Sequence, residues 1–297
     1  MMRAVIVVGA ICLSAATAAQ VSVTDFLGTG TPAEFERAEA PRAFDFPADH
    51  GAHPGFRSEW WYFTGNLAAE DGRHFGFQLT FFRFALAPIA VERASAWATN
   101  QAWMAHLTVT DSAGKRFHAA ERLARGALGL AGTETAPFRV WLGDWEARAA
   151  ESGGDIYPLE LIARDEGVSI DLTLTAAKPL VLQGENGWDR KGPEPGNASY
   201  YYSYTRVAAR GQVTIDGAAV HVSGSAWMDR EWGSSALGPN LSGWDWCALQ
   251  LSDGSELMLY RLRHKDGRTS DFSKATLIEA DGERRSYAAG EFTFEPR

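Results

Sequence analysis

Two short blocks of the sequence concentrate acids, histidines and tryptophans. The first runs from His50-Gly51-Ala52-His53-Pro54 to Glu59-Trp60-Trp61-Tyr62-Phe63-Thr64-Gly65. The second is Trp227-Met228-Asp229-Arg230-Glu231-Trp232-Gly233, followed by Gly243-Trp244-Asp245-Trp246. In an extended strand, successive side chains point to opposite faces. Glu59 and Trp61 therefore share one face, with Trp60 and Tyr62 on the other. Trp227, Asp229 and Glu231 likewise share a face, opposite Met228, Arg230 and Trp232. If Trp227 points inward, two carboxylates go with it. A buried carboxylate is costly unless it is paired or protonated. Two of them beside an aromatic wall would have raised and separated pKa values, which suits an acid and a base. The alternative is a salt bridge in which Arg230 or another arginine neutralises them and fixes the fold. Alternation alone does not separate the two.

Other chemistry is weaker. His50 and His53 with Glu59 have zinc-like spacing, but no third histidine lies nearby and proline follows His53, so a loop of hydrogen-bonded histidines is the plainer reading. Gly224-Ser225-Ala226 lacks the two-glycine nucleophile elbow and its strand–helix setting. Cys247 reads as a small buried hydrophobe. Tyr200-Tyr201-Tyr202-Ser203-Tyr204 offers Tyr200, Tyr202 and Tyr204 to one face of a sheet. No phosphate loop, dinucleotide fingerprint or fixed-period repeat is present.

The elements that must position these residues are strands. Arg73–Phe84 places Phe75, Phe77, Leu79 and Phe81 on one face, and Val168, Ile170, Leu172 and Leu174 repeat the pattern. Asp-Gly pairs at 71–72, 216–217, 253–254, 266–267 and 281–282 suggest two-residue type I′ hairpin turns. Short alternating strands with tight turns predict an antiparallel all-β barrel or sandwich. The glycine- and proline-rich stretch 183–198 breaks the alternation and is the best boundary. The expected layout is a leader over 1–19, an extension over 20–40, a first β domain over 41–185, a linker over 186–198 and a second β domain over 199–297. Gly290–Glu295 reads as a last strand that would leave its sheet edge unpaired.

Residues 1–19 have the form of a secretory leader. Arg3 supplies the positive start, Ala4–Leu13 the apolar stretch, and Ala16-Thr17-Ala18 the small residues before cleavage. A secreted or periplasmic location is therefore expected, with Cys247 the single cysteine of the mature chain and no internal disulfide. The 297 residues carry 28 Lys+Arg against 37 Asp+Glu, a formal charge of -9, which disfavours nucleic-acid backbones as partners. Eleven tryptophans are the compositional oddity, and six of them fall in the two blocks.

His53-Pro54, Glu59-Trp60-Trp61-Tyr62, Gly65, Tyr201-Tyr202-Ser203, Trp227–Gly233 and Gly243–Trp246 together resemble the AttH and carotenoid 1,2-hydratase family over about residues 40–295. The resemblance implies two tandem lipocalin-like β-barrels. Family members usually continue with further strands, so the second barrel is expected to be incomplete. Carotenoid members add water across a terminal trisubstituted alkene. Protonating such an alkene requires a carboxylic acid kept neutral by an apolar site, and aromatic faces stabilise the resulting cation. On this resemblance Asp229 is the expected general acid. Glu231 and Glu59 are expected to hold water or tune the acid. Trp60, Trp61, Tyr62, Tyr202, Trp227, Trp232, Trp244, Trp246 and His53 are expected around the substrate. No cofactor and no metal are implied. The AttH branch is associated with transporter genes of the ABC class, so a non-catalytic carrier of a lipid or other hydrophobe is the rival reading. A hydrolase, the label often attached to the family, comes third.

Overall fold

The computed structural model describes residues 35–88, 94–150, 155–235, 237–238 and 240–295. The expected leader lies outside them.

The described chain is almost entirely β, with one short 3-10 helix at Ala48–His50. The strands are β1 (Ser58–Ala69), β2 (His74–Ala85), β3 (Gln101–Asp111), β4 (Arg116–Arg125), β5 (Ala131–Thr135), β6 (Phe138–Leu142), β7 (Trp145–Ala149), β8 (Leu159–Asp165), β9 (Val168–Ala176), β10 (Val181–Leu182), β11 (Trp188–Arg190), β12 (Ala198–Ile215), β13 (Ala218–Gly233), β14 (Leu241–Gln250), β15 (Glu256–His264), β16 (Lys274–Ile278) and β17 (Arg284–Ala288). The first thirteen form one antiparallel sheet in the order β4-β3-β2-β1-β13-β12-β9-β8-β7-β6-β5, with β10 and β11 added beside β12. This sheet curls until β6 approaches β2, β3 and β4, so it is nearly closed into a barrel. The remaining strands form a second sheet in the order β14-β15-β16-β17.

The sheets therefore divide at 234–240, not at the glycine- and proline-rich stretch. That stretch carries β11, which pairs with β12 through Trp188 and Tyr200. The long strands β12 and β13 belong to the large sheet because β13 pairs with the whole of β1, from Ser58 with Gly233 to Ala69 with Val222. Hydrogen bonding between distant segments overrides the local break in pattern. The Gly290–Glu295 segment is not a strand; β17 ends at Ala288.

The turns also differ from expectation. Only at 216–217 do both residues take positive φ, 51° and 81°, as a type I′ turn requires. At 71–72, 253–254, 266–267 and 281–282 the glycine alone is left-handed. Each glycine amide bonds to the carbonyl three residues earlier, as Gly72 does to Ala69, which makes a three-residue loop rather than a two-residue one.

The barrel interior is packed. Trp61, Phe63, Leu79, Phe81, Trp145, Leu161, Ile170, Tyr202 and Trp232 all lie in it, nearly or fully excluded from solvent. Residues 35–57 seal it: Trp188 donates to the Ala38 carbonyl at 2.7 Å and Tyr200 to the Ala40 carbonyl at 3.0 Å. Burial alternates along most strands, but Ala198–Thr205 and Ala226–Gly233 are buried on both faces. The second sheet is the cause. It packs Met258, Tyr260 and Leu262 against Tyr201 and Trp227 on the outer face of the large sheet. Gln250 Nε2 donates to the Thr205 and Ala226 carbonyls at 2.8 Å each. Buried Glu256 accepts from Lys178 at 2.9 Å and from Arg206 at 2.5 Å.

Candidate functional site

The cross-strand register places the candidate residues in rows. One row runs His106, Thr80, Tyr62, Asp229, Ser203 across β3, β2, β1, β13 and β12. The next runs Phe82, Trp60, Glu231, Tyr201. Directly opposed residues in a sheet share a face. These two rows point outward from the barrel, toward the second sheet. Trp244, Trp246, Tyr260 and Leu262 of that sheet close over them, leaving a cavity of about 400 Å³. Its walls are mostly apolar, with Asp229, Glu231 and Lys191 set into them.

Asp229 is almost fully buried. Its Oδ1 accepts from Ser203 Oγ at 2.6 Å and from Trp227 Nε1 at 2.7 Å. Among the described residues no cation pairs with it. Burial raises its pKa to about 7. Hydrogen bonds from Ser203, Trp227 and Tyr201 oppose that rise, and the charge of Glu231 adds to it. A carboxyl in this range can be protonated at neutral pH and can also give its proton up. Glu231 stands two residues along the same face. It accepts from Ser199 Oγ at 2.5 Å and lies 3.3 Å from Lys191 Nζ. Burial raises its pKa too, against the pull of Lys191 and Ser199. Tyr62 has its phenol pushed up to about 12, chiefly by burial, so it stays neutral. Trp246 meets Tyr62 edge to face at 5.5 Å and Trp227 at 6.4 Å.

The expected site thus divides between two faces of one sheet. Trp60, Tyr62, Asp229, Glu231, Trp244 and Trp246 line the cavity, and Trp227 holds Asp229 from beside it. Glu59, Trp61, Tyr202, Trp232 and His53 do not; they face the filled barrel core. Glu59 is fully buried there between Arg83 and Arg230, which both bond to it, and the His53 amide donates to it at 3.0 Å. Burial alone would raise the Glu59 pKa, but Arg83, Arg230 and His53 hold it well below the usual carboxylate range. The His53 ring stacks on Trp232 at 3.9 Å and bonds Asp49 at 2.9 Å. The Arg230 guanidinium lies 4.0 Å from the Trp61 ring centre. Tyr202 shares a 2.6 Å hydrogen bond with His50. Glu59 is therefore a structural ion pair, the outcome in which arginine fixes the fold, whereas Asp229 is the carboxyl without a cation. Glu59 cannot hold water for a substrate because the sheet itself stands between it and the cavity.

His50 and His53 are committed to Tyr202, Asp49 and Glu59, and no metal-binding group occurs among the described residues. Cys247 on β14 is half-buried rather than buried. Several lining residues were not anticipated, among them Tyr201, Lys191 and Tyr260. Tyr201 sits opposite Glu231 on β12, and the tyrosine run drew attention only to its other face. Lys191 follows β11 in the supposed linker, where nothing local marks it. Tyr260 comes from β15, and only packing brings it near.

A family model described as AttH-like matches residues 37–297. Among solved structures, an AttH candidate from Nitrosomonas europaea aligns with a TM-score of 0.76 at 37% identity, covering 86% of this chain and 75% of that one. The crystal structure of kievitone hydratase from Nectria haematococca aligns with a TM-score of 0.61 at 14% identity, covering 86% and 72%. At that identity the likeness is one of fold. No curated protein matches the sequence.

Proposed function

The chain belongs to the AttH-like family, and on that premise we propose that it is a hydratase-type protein acting on an apolar, isoprenoid-like alkene in the cavity between the two sheets. The observation that carries the reading is Asp229: a buried carboxyl with no cation partner, facing aromatic walls, with its pKa lifted to about 7. Such a group delivers a proton to an alkene carbon, whose π electrons form the new C–H bond. The tertiary cation left behind faces Trp60, Tyr62 and Trp246, and each aromatic face contributes roughly 0.5–2 kcal/mol to a cation at such a site. A water then supplies its lone pair for the C–O bond and gives its proton to Glu231. The product is a tertiary alcohol, and no cofactor enters the scheme. An exported location accords with the leader-like start of the sequence.

The test is incubation with a panel of terminal trisubstituted alkenes, followed by mass spectrometry. Wild-type protein should add one water; Asp229→Asn should add none while still binding the substrate. Full activity in the variant removes Asp229 from the role of acid.

The apolar walls favour one rival, a carrier of a lipid or other hydrophobe, because pockets with few polar groups serve either purpose. Ligand extracted from the protein distinguishes them. A carrier returns it unchanged after incubation.

A further inference from the structure

Asp229 and Glu231 occupy the same wall but keep different company. Lys191 Nζ lies 3.3 Å from Glu231 Oε1 and 2.6 Å from Asp189 Oδ2. Asp189 is almost wholly excluded from solvent, and it accepts from the Tyr260 hydroxyl at 2.9 Å and from Lys274 Nζ at 2.7 Å. The Lys191 ammonium also lies 4.4 Å from the Tyr260 ring centre and 5.5 Å from that of Tyr201. Two cations, Lys191 and Lys274, thus meet two carboxyl groups, Asp189 and Glu231. The group is electrically neutral only when both carboxyls are ionised. A buried cluster with an unbalanced charge is disfavoured, so this neutrality selects the ionised form of Glu231. Nothing comparable surrounds Asp229.

We propose that Lys191 is the positioning residue of the reaction: it holds Glu231 as the carboxylate that receives the proton of the attacking water, and so leaves Asp229 to deliver the first proton. The inference rests on the hydration reading above. The order of events balances. The Asp229 O–H bond breaks as the C–H bond forms, water makes the C–O bond and loses a proton to Glu231, and transfer of that proton back to Asp229 restores the resting state. Asp189 fixes Lys191, and because Tyr260 and Lys274 belong to β15 and β16, the second sheet must be docked for the arrangement to exist.

The groups facing Glu231 are Asp189 from β11 and Lys191 just after it, Ser199 and Tyr201 from β12, Tyr260 from β15 and Asp229 on its own strand. Its protonation can be followed directly. Protein labelled with ¹³C at the glutamate carboxyls is titrated by NMR, with Glu231→Gln identifying the signal. Lys191→Met should raise the Glu231 midpoint by about one pH unit or more, and Lys191→Arg should return it toward the wild-type value. An unchanged midpoint in folded Lys191→Met overturns the proposal. Should that variant fail to fold, Asp189→Asn serves instead. It frees Lys191 for Glu231 alone and should lower the midpoint, and no change there overturns the proposal equally. Where an alkene substrate turns over, Lys191→Met should move the rising limb of the pH–rate profile upward and leave the falling limb, set by Asp229, in place. Absence of turnover with every alkene defeats the hydration reading but not the titration result. Turnover with an unmoved rising limb defeats only the role of Lys191.

Discussion

Asp229→Asn should make the folded protein more stable at neutral and alkaline pH while removing its acid. Asparagine keeps the size of the side chain and the Oδ1 acceptor used by Ser203 and Trp227. What it lacks is the titration. In the unfolded chain the aspartate has its ordinary pKa of 3.8, and in the fold burial lifts it to about 7. The folded state therefore holds the proton through a window in which the unfolded state has lost it. The sign follows: stability is unaffected below the unfolded pKa, falls as pH rises through the window, and is at its lowest above the folded pKa. At about 1.4 kcal/mol per pH unit, the full penalty is about 4 kcal/mol, an upper bound on what the variant regains. Urea unfolding of both proteins at about pH 4 and about pH 8 measures it. The gap should be small at the lower pH and approach its full size at the higher one. Equal stabilities at the higher pH, or a gap of the same size at both, would refute the picture of a buried carboxyl lacking a cation. The expected gain also reflects function, since a strained catalytic group is usually held at a cost to the fold.

Glu59→Gln should act in the opposite direction. It leaves Arg83 and Arg230 buried without their countercharge and should destabilise by about 3–5 kcal/mol in urea unfolding. Because the folded pKa of Glu59 is depressed, the stability it provides is present above its ordinary pKa of 4.5 and is lost on acidification, so wild type should show an acid limb that the variant lacks. Trp246→Ala should weaken binding of a neutral apolar dye by roughly tenfold, about 1.4 kcal/mol, whereas Trp232→Phe on the other face should leave the dye's affinity unchanged. Fluorescence titration separates the two. Gly224→Ala should destabilise by about 1–3 kcal/mol or more, because a Cβ there would overlap the Asn66 carbonyl across the β1–β13 pair. Thermal unfolding checks this, and a wild-type midpoint would show that the two strands can move apart.

Much of the architecture was legible in the sequence. Period-two alternation in Arg73–Phe84 and Val168–Leu174 marks strands β2 and β9, and the Asp-Gly pairs mark the turns before β2, β13, β15, β16 and β17, although four of the five proved to be the three-residue kind. The same alternation assigned Asp229 and Glu231 to one face and Arg230 and Trp232 to the other, as found. It also separated Glu59 and Trp61 from Trp60 and Tyr62. These are local statements, determined by backbone geometry over two or three residues.

Which face is a site is not a local property. It depends on what covers each face, and here that is decided by pairings far apart in sequence. β13 bonds to β1, which turns Glu59 toward Arg230 and buries both in a filled barrel. β14 and β15 then fold over the outer face and turn a wall that would otherwise meet solvent into an apolar cavity. Lys191 and Tyr260 carry no signal in their own neighbourhoods, because a linker lysine and a strand tyrosine are unremarkable until packing brings them beside Glu231. Sequence thus determined the strands, the pairing of acids with aromatics and the face each acid occupies. The tertiary structure decided that Glu59 is neutralised and Asp229 is not, because burial and countercharge are properties of the space around a side chain, and that space is assembled by the sheets.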